Sequence, residues 1–292
     1  MNRGTKFALG SLIGIGLFVP WWSTHHTVWP RLTALRFDWI GLAVAALLAS
    51  LVVQWIRTCV LLEPKRWRSL GSAVGLSHGL NVLAPSLVGD AFEVAALSRI
   101  LNEPSRFILT RLVFRFMTTI AALAVLAGMA IGVIRPSLGF VVVSTALLVP
   151  FGIDALTPRW SPLLAIPGTA AVGPIAAVGA GATIRQTVLS VIQHALSAAS
   201  IFILGAALDD PISPGLAAGM LALADVATYL PVPLGGVGIH HWSLSGVAEW
   251  MGSTPTTLVM ANHALIVLVG GVCALAGWIY LPDKSSLNGQ NR

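Results

Sequence analysis

Two stretches decide how this chain is read: Asn81-Val-Leu-Ala-Pro-Ser-Leu-Val-Gly-Asp90 and Leu230-Pro-Val-Pro-Leu-Gly-Gly-Val-Gly-Ile-His-His241. Each sets helix-breaking residues inside sequence that is otherwise apolar. Backbone exposed to lipid cannot leave its polar groups unpaired, so a broken helix at membrane depth is buried in protein or lines a cavity. One break in each half points to handling of something within the membrane rather than to simple crossing.

The surrounding composition places the chain in a membrane. Of 292 residues, 56% are hydrophobic and 10% charged, and the mean hydropathy is +0.84. Soluble domains carry about 25% charged residues. The net charge of +6 therefore does not indicate nucleic-acid binding. The clearest basic cluster is Arg57, Lys65, Arg66 and Arg68, where cations anchor a cytoplasmic loop and attract anionic headgroups. Cys59 and Cys273 have neither metal-ligand nor disulfide-framework spacing.

Apolar runs of about 17–25 residues are the unit of crossing. They predict full spans near 7–22, 38–57, 107–133, 137–153, 161–183, 187–207, 213–230 and 256–281. The first follows Arg3 and Lys6 but leads to Trp21-Trp22 rather than to a small-residue cleavage site, which predicts a retained helix with an interfacial anchor. Pro136, Pro158, Pro162 and Pro211 are expected at turns. The expected architecture is an all-α polytopic membrane protein: one domain over residues 1–292, about eight transmembrane helices and two re-entrant helical hairpins, candidates for an inverted repeat. The basic 57–68 loop predicts cytoplasmic N- and C-termini.

The breaks carry most of the candidate site. After the first, Asp90 and Glu93 stand three residues apart and share a face if helical. Gly89 and Asp90 sit where a helix restarts after Pro85, and the Asn81 side chain is suited to backbone groups released by the break. In the second, Pro231 and Pro233 remove backbone donors, whereas Gly235, Gly236 and Gly238 permit close approach before His240 and His241. Such a turn ahead of a helix is suited to an anion such as a lipid phosphate. Pro85, Gly89, Pro231 and Pro233 read as hinges. Arg111 and Arg115, one turn apart near the start of a span, need anions or water if buried. Asp90 and Glu93 are their expected partners. Asp225 stands alone in an apolar run, where a carboxylate is costly; Arg115 or Arg185 is an expected partner, and carriage of a coupling proton is the other reading. Asn262 and His263 read as interhelical hydrogen-bonding residues.

In this order, basic Arg57…Arg68, Asn81-x-x-x-Pro85-x-x-x-Gly89-Asp90, Arg111/Arg115 and Pro233-x-Gly235-Gly236-x-Gly238, the chain resembles the lysylphosphatidylglycerol synthase transmembrane-region family over nearly its full length. This flippase-like family includes the lipid-flipping part of bacterial multiple peptide resistance factors; the resemblance does not extend to their soluble aminoacyltransferase domain. It implies a protein of the bacterial cytoplasmic (inner) membrane that moves a polar-headgroup lipid between leaflets: a phospholipid, an aminoacylated lipid or an isoprenoid-linked glycolipid. Asn81, Pro85, Gly89, Asp90, Gly235, Gly236 and Gly238 carry over. The family's arginine between the proline and the Gly-acid pair is replaced by Ser86-Leu87-Val88, Glu93 occupies the neighbourhood of a second basic residue, and Ile239-His240-His241 stands where the family continues into Arg-Glu. These departures imply a less anionic or differently charged headgroup.

The implied substrate-binding set is Asn81, Asp90, Glu93, Arg111, Arg115, Asp225, Gly235, Gly236, Gly238, His240 and His241. The implied partners are membrane lipids and lipid-biosynthesis enzymes, with no cofactor, no metal and no nucleic acid. The chain reads as a transporter, not an enzyme. A lipid-modifying enzyme using Asp90, Glu93 and a histidine is the rival, without a Walker motif, serine-nucleophile elbow or zinc motif to support it. An accessory structural membrane protein is the third reading.

Overall fold

The apolar run from Phe37 contains no proline, and lipid offers its backbone no other hydrogen-bond partner, so it closes into one helix. In the computed structural model this helix, α1, spans Phe37–Leu62. The structure describes residues 36–62, 67–83, 88–160, 177–228 and 256–280. Within them follow α2 (Trp67–Leu83), α3 (Val88–Leu101), α4 (Ser105–Ile134), α5 (Pro136–Trp160), α6 (Ala180–Ala207), α7 (Pro214–Thr228) and α8 (Thr256–Tyr280). Every regular element among the described residues is helical. Helices α1, α4, α5, α6 and α8 are long and apolar enough to cross a membrane, as expected of a multi-pass membrane protein.

Several expected boundaries move. The 38–57 span continues to Leu62, because the run after Arg57 stays apolar. The short span near 137–153 extends over Pro136–Trp160 and holds Pro150 and Pro158 inside the helix, so Pro158 does not mark a turn. The expected division between spans at 183–187 is not a break, because α6 already begins at Ala180. Its start is fixed by Gly179, whose φ of 91° lies where glycine is favoured. The buried Asp154 of α5 accepts the backbone N–H groups of Val178 (2.5 Å) and Gly179 (3.0 Å) there. Of the expected span 213–230, residues Pro214–Thr228 form helix α7, and its last two residues lie outside the described residues. The predicted span 7–22, most of 161–183, Pro85, and the second break with Pro231, Pro233, Gly235, Gly236, Gly238, His240 and His241 lie outside the described residues.

Hydrogen bonds give the directions of the helices. Ala43 pairs with Ser200, Ser50 with Ser197 and Arg57 with Gln193, so α1 and α6 are antiparallel. Arg57 and Thr58 of α1 meet Thr118 and Arg115 of α4, whereas Ala43 and Leu47 share a cluster with Leu126, so α4 is also antiparallel to α1. The chain from Leu62 to Ser105 therefore leaves and rejoins the bundle at one end. Helices α2 and α3 lie antiparallel within it, with Ser77 against Glu93 and Asn81 against Gly89 and Asp90. The turn into α4 uses Asn102 at φ 55°, a left-handed position that asparagine tolerates.

Glycines set the closest approaches. A Cβ on Gly89 would overlap the Ser77 carbonyl oxygen and the Asn81 side chain, so the hairpin closes only around a bare backbone. Gly79 lies against Gly270 and Ala274, and Gly277 against Ser72 and Leu76, which packs α8 antiparallel to α2. Small residues permit this contact where water supplies no driving force between helices. Gly79 and Val82, near the end of α2, thus sit beside Gly270, ten residues before the end of α8 at Tyr280. Helix α7 enters from the opposite end, after α6, and runs back along it until Asp225 faces His194.

Two apolar clusters flank a polar layer. One gathers Ala43, Leu47, Leu126, Leu204, Met220 and Leu258. The other gathers Cys59, Leu70, Leu97, Ile100, Ile108 and Leu112. Between them along α1 and α4 fall Arg57, Thr58, Arg115, Thr118 and Thr119.

Candidate functional site

The polar layer is built from charged residues that an apolar bundle accepts only when every group finds a partner. Glu93 of α3 is fully enclosed, at 0% exposure. Arg115 of α4 meets it through two parallel bonds, Nη1 to Oε1 at 2.6 Å and Nη2 to Oε2 at 2.8 Å. This fork-to-fork geometry matches a planar guanidinium to a carboxylate and fixes both orientations. Ser77 Oγ donates to Glu93 Oε2 at 3.2 Å, and Arg115 Nη1 also donates to Thr58 Oγ1 at 2.7 Å. One ion pair thus holds α1, α2, α3 and α4 together.

Arg57 forms the second centre. Sequence assigns it to the basic loop; the structure corrects this, because at 1% exposure it lies inside the bundle. Its Nη1 donates to Gln193 Oε1 at 2.6 Å. Its Nη2 faces Thr118 Oγ1 at 2.9 Å, Thr119 Oγ1 at 3.2 Å and the Arg115 carbonyl oxygen at 3.1 Å. Gln186 Nε2 in turn donates to the Arg57 carbonyl oxygen at 2.5 Å. The apolar continuation Cys59-Val-Leu-Leu62 is the signal that α1 does not end at Arg57.

The first break resolves into two roles. Asn81 receives the Gly89 N–H at 2.9 Å on its side-chain oxygen and donates its amide to Asp90 Oδ1 at 2.8 Å. Both ends of the amide are used, which ties the end of α2 to the start of α3. Asp90 therefore faces Asn81, while Glu93, from the same helix, takes Arg115; the expected sharing of arginines by both acids is corrected. Arg111 lies over the Phe107 ring, with Cζ 5.2 Å from its centroid, an arrangement that suits a guanidinium on an aromatic face.

Asp225 of α7 stands beside a histidine of α6. Its Oδ2 lies 3.9 Å from Nε2 of His194, a buried residue of α6. His194 Nδ1 stands 2.7 Å from the Ser190 carbonyl oxygen, and Ser190 Oγ donates to the Thr118 carbonyl at 3.0 Å. The layer is thus continuous from α3 to α7. His194, Gln186, Ser190 and Gln193 have no sequence signal beyond being polar within a span. Asn262 is buried in α8. No group of three His, Cys, Asp or Glu side chains gathers as a metal site among the described residues.

No protein-family model matches the chain, and neither curated proteins nor solved structures include a match. Function is therefore read from the site itself.

Proposed function

We propose that this chain translocates a polar-headgroup lipid between the leaflets of a bacterial inner membrane. The observation that carries the reading is the Glu93–Arg115 pair: a doubly bonded ion pair inside an apolar bundle, joining a helix too short to cross to one long enough to cross. Ionisable groups are rare at such depth and characteristically line the routes of polar cargo. Helices α2 and α3 have 17 and 14 residues, about 26 and 21 Å against a hydrocarbon core of about 30 Å. With both ends of that segment on one side of the bundle, they form a re-entrant hairpin. Helix α7 approaches from the other side, which supports an inverted pairing of the two breaks near mid-depth.

On this reading the headgroup crosses along the polar layer while its tails stay in lipid. The layer is closed by Glu93–Arg115 at one end and His194–Asp225 at the other. The basic loop end is cytoplasmic, which puts both termini there. The lipid is a phospholipid, an aminoacylated lipid or an isoprenoid-linked glycolipid, received from or passed to lipid-biosynthesis enzymes, and the order of motifs supports a place in the lysylphosphatidylglycerol synthase transmembrane-region family.

The test is reconstitution of purified protein into liposomes carrying fluorescent phospholipid or glycolipid, with the outer leaflet quenched chemically. Label in the inner leaflet becomes accessible faster than in protein-free liposomes, and Glu93→Gln slows it. Folded protein that moves none of these lipids overturns the proposal.

A further inference from the structure

Gln186 and His78 each hold a polar atom that meets no hydrogen-bond partner among the described residues, and they differ in what can reach it. Gln186 donates its amide to the Arg57 carbonyl oxygen, while its own Oε1 accepts nothing. At 0% exposure that atom is sealed inside the bundle, out of reach of anything the size of a headgroup. His78 of α2 is half-buried, so its ring stays reachable. Among the described residues the ring takes part in no hydrogen bond, ion pair or ring contact. A neutral imidazole presents one N–H donor and one lone pair. Leaving both unmet in an apolar bundle is costly, and polar groups so placed characteristically serve a polar cargo.

Its place in the hairpin makes the ring informative. His78 follows the exposed Trp67, which opens α2, by about 16 Å at a rise of 1.5 Å per residue, which is mid-depth in a hydrocarbon core of about 30 Å. The preceding Ser77 donates to Glu93, so His78 stands at the level of the Glu93–Arg115 pair but on another face of the helix. Ser77 and Asn81 mark the side of α2 against α3, and Gly75 and Gly79 mark the side against α8. His78 lies two turns beyond Gly71, which abuts Trp55 of α1, and shares that third face. The ion pair secures α2 on one side and bare glycine backbone on the other, so the imidazole is not what holds the helix in place. Its chemistry names a ligand. The N–H suits a phosphate oxygen, which only accepts, and the lone pair suits a hydroxyl, which donates. A phosphate headgroup that carries a hydroxyl uses both; phosphocholine uses one. A glycerol phosphate dissolved in water has the same groups, but only a lipid reaches mid-depth with its tails kept in the bilayer.

We propose that His78 is the mid-depth contact for the headgroup of the translocated lipid, and that it favours a phosphate headgroup bearing a hydroxyl. The transport role rests on the translocation reading above; the binding site does not, and the two are measured separately. Binding is read on the full chain with ¹⁵N-labelled histidine rings, in phosphatidylcholine nanodiscs with a rising fraction of phosphatidylglycerol at constant pH. The His78 ring nitrogens, identified by their loss in H78Q, shift progressively with phosphatidylglycerol and show dipolar coupling to its phosphorus. Should H78Q not fold, His78→Asn supplies the assignment. Ring nitrogens that stay unmoved across the series overturn the proposal. Glycerol phosphate added to phosphatidylcholine nanodiscs leaves them unmoved; a response to it, with none to phosphatidylglycerol, overturns the lipid as the ligand. Transport is read in liposomes carrying fluorescent phosphatidylglycerol or phosphatidylcholine. His78→Phe keeps a ring and removes both polar atoms, and is expected to slow phosphatidylglycerol about tenfold, the effect of one lost hydrogen bond to a charged group, and phosphatidylcholine less. A variant that slows neither lipid, or both equally, overturns the headgroup preference, since a purely structural defect would not tell them apart. Unmodified protein that moves neither lipid strikes the translocation reading, and the nitrogen spectra still decide the binding site.

Discussion

The α2–α3 hairpin and helix α7 each carry a carboxylate into the bundle and treat it in opposite ways. Glu93 is enclosed and bonded at 2.6 and 2.8 Å to one guanidinium, with Ser77 as a further donor. Asp225 stands 3.9 Å from its histidine and retains exposure. The first arrangement has no slack: a fork meets a fork, and small displacements break both bonds. The second leaves about 1 Å to close before a hydrogen bond forms. The same bundle thus holds one carboxylate in a doubly bonded fork and sets another at a wider contact with a histidine.

This contrast can be broken most directly at the fixture. Glu93→Ala leaves Arg115 buried without its carboxylate and is expected to cost about 3–5 kcal/mol, read as a lowered midpoint of unfolding in detergent or nanodiscs. A loss no greater than a surface substitution would make the ion pair incidental. Next in size is Gly89→Ala, whose new Cβ meets Ser77 and Asn81; overpacking of this kind costs about 1–3 kcal/mol and should loosen the hairpin, read by faster amide exchange in α2 and α3. Asn81→Ala removes the bonds that tie α2 to α3 and is expected to cost about 1–2 kcal/mol in the same unfolding measurement. Smallest is the coupling energy between His194 and Asp225 in a double-mutant cycle, about 0.6 kcal/mol, typical of polar contacts between membrane helices. A coupling as large as that between Glu93 and Arg115 would erase the distinction between the two regions.

How much of this is legible in the sequence depends on whether a signal is local. The hairpin is legible, because Asn81, Gly89 and Asp90 lie within ten residues and each acts on its neighbours. The Glu93–Arg115 pairing is half legible: both residues stand out in apolar surroundings, but nothing in their spacing separates Glu93 from Asp90 as the partner. Arg57 misleads, since proximity in sequence to Lys65 and Arg66 hides a helix that continues to Leu62. Asp154 gives no signal because the amides it caps lie 24 and 25 residues later, beyond any helical period. His194 is illegible for the same reason, as its partner belongs to a different helix and only packing brings them together.

The carbonyl oxygen of Arg115 accepts bonds from Arg57, Thr118 and Thr119, while the side chain of the same residue grips Glu93. One amino acid is thereby both the latch of the hairpin and the seat of the neighbouring cation, which reaches Gln193 beside His194. The two ends of the polar layer are geared through a single peptide unit: a tilt of α4 that opens the latch also withdraws the seat.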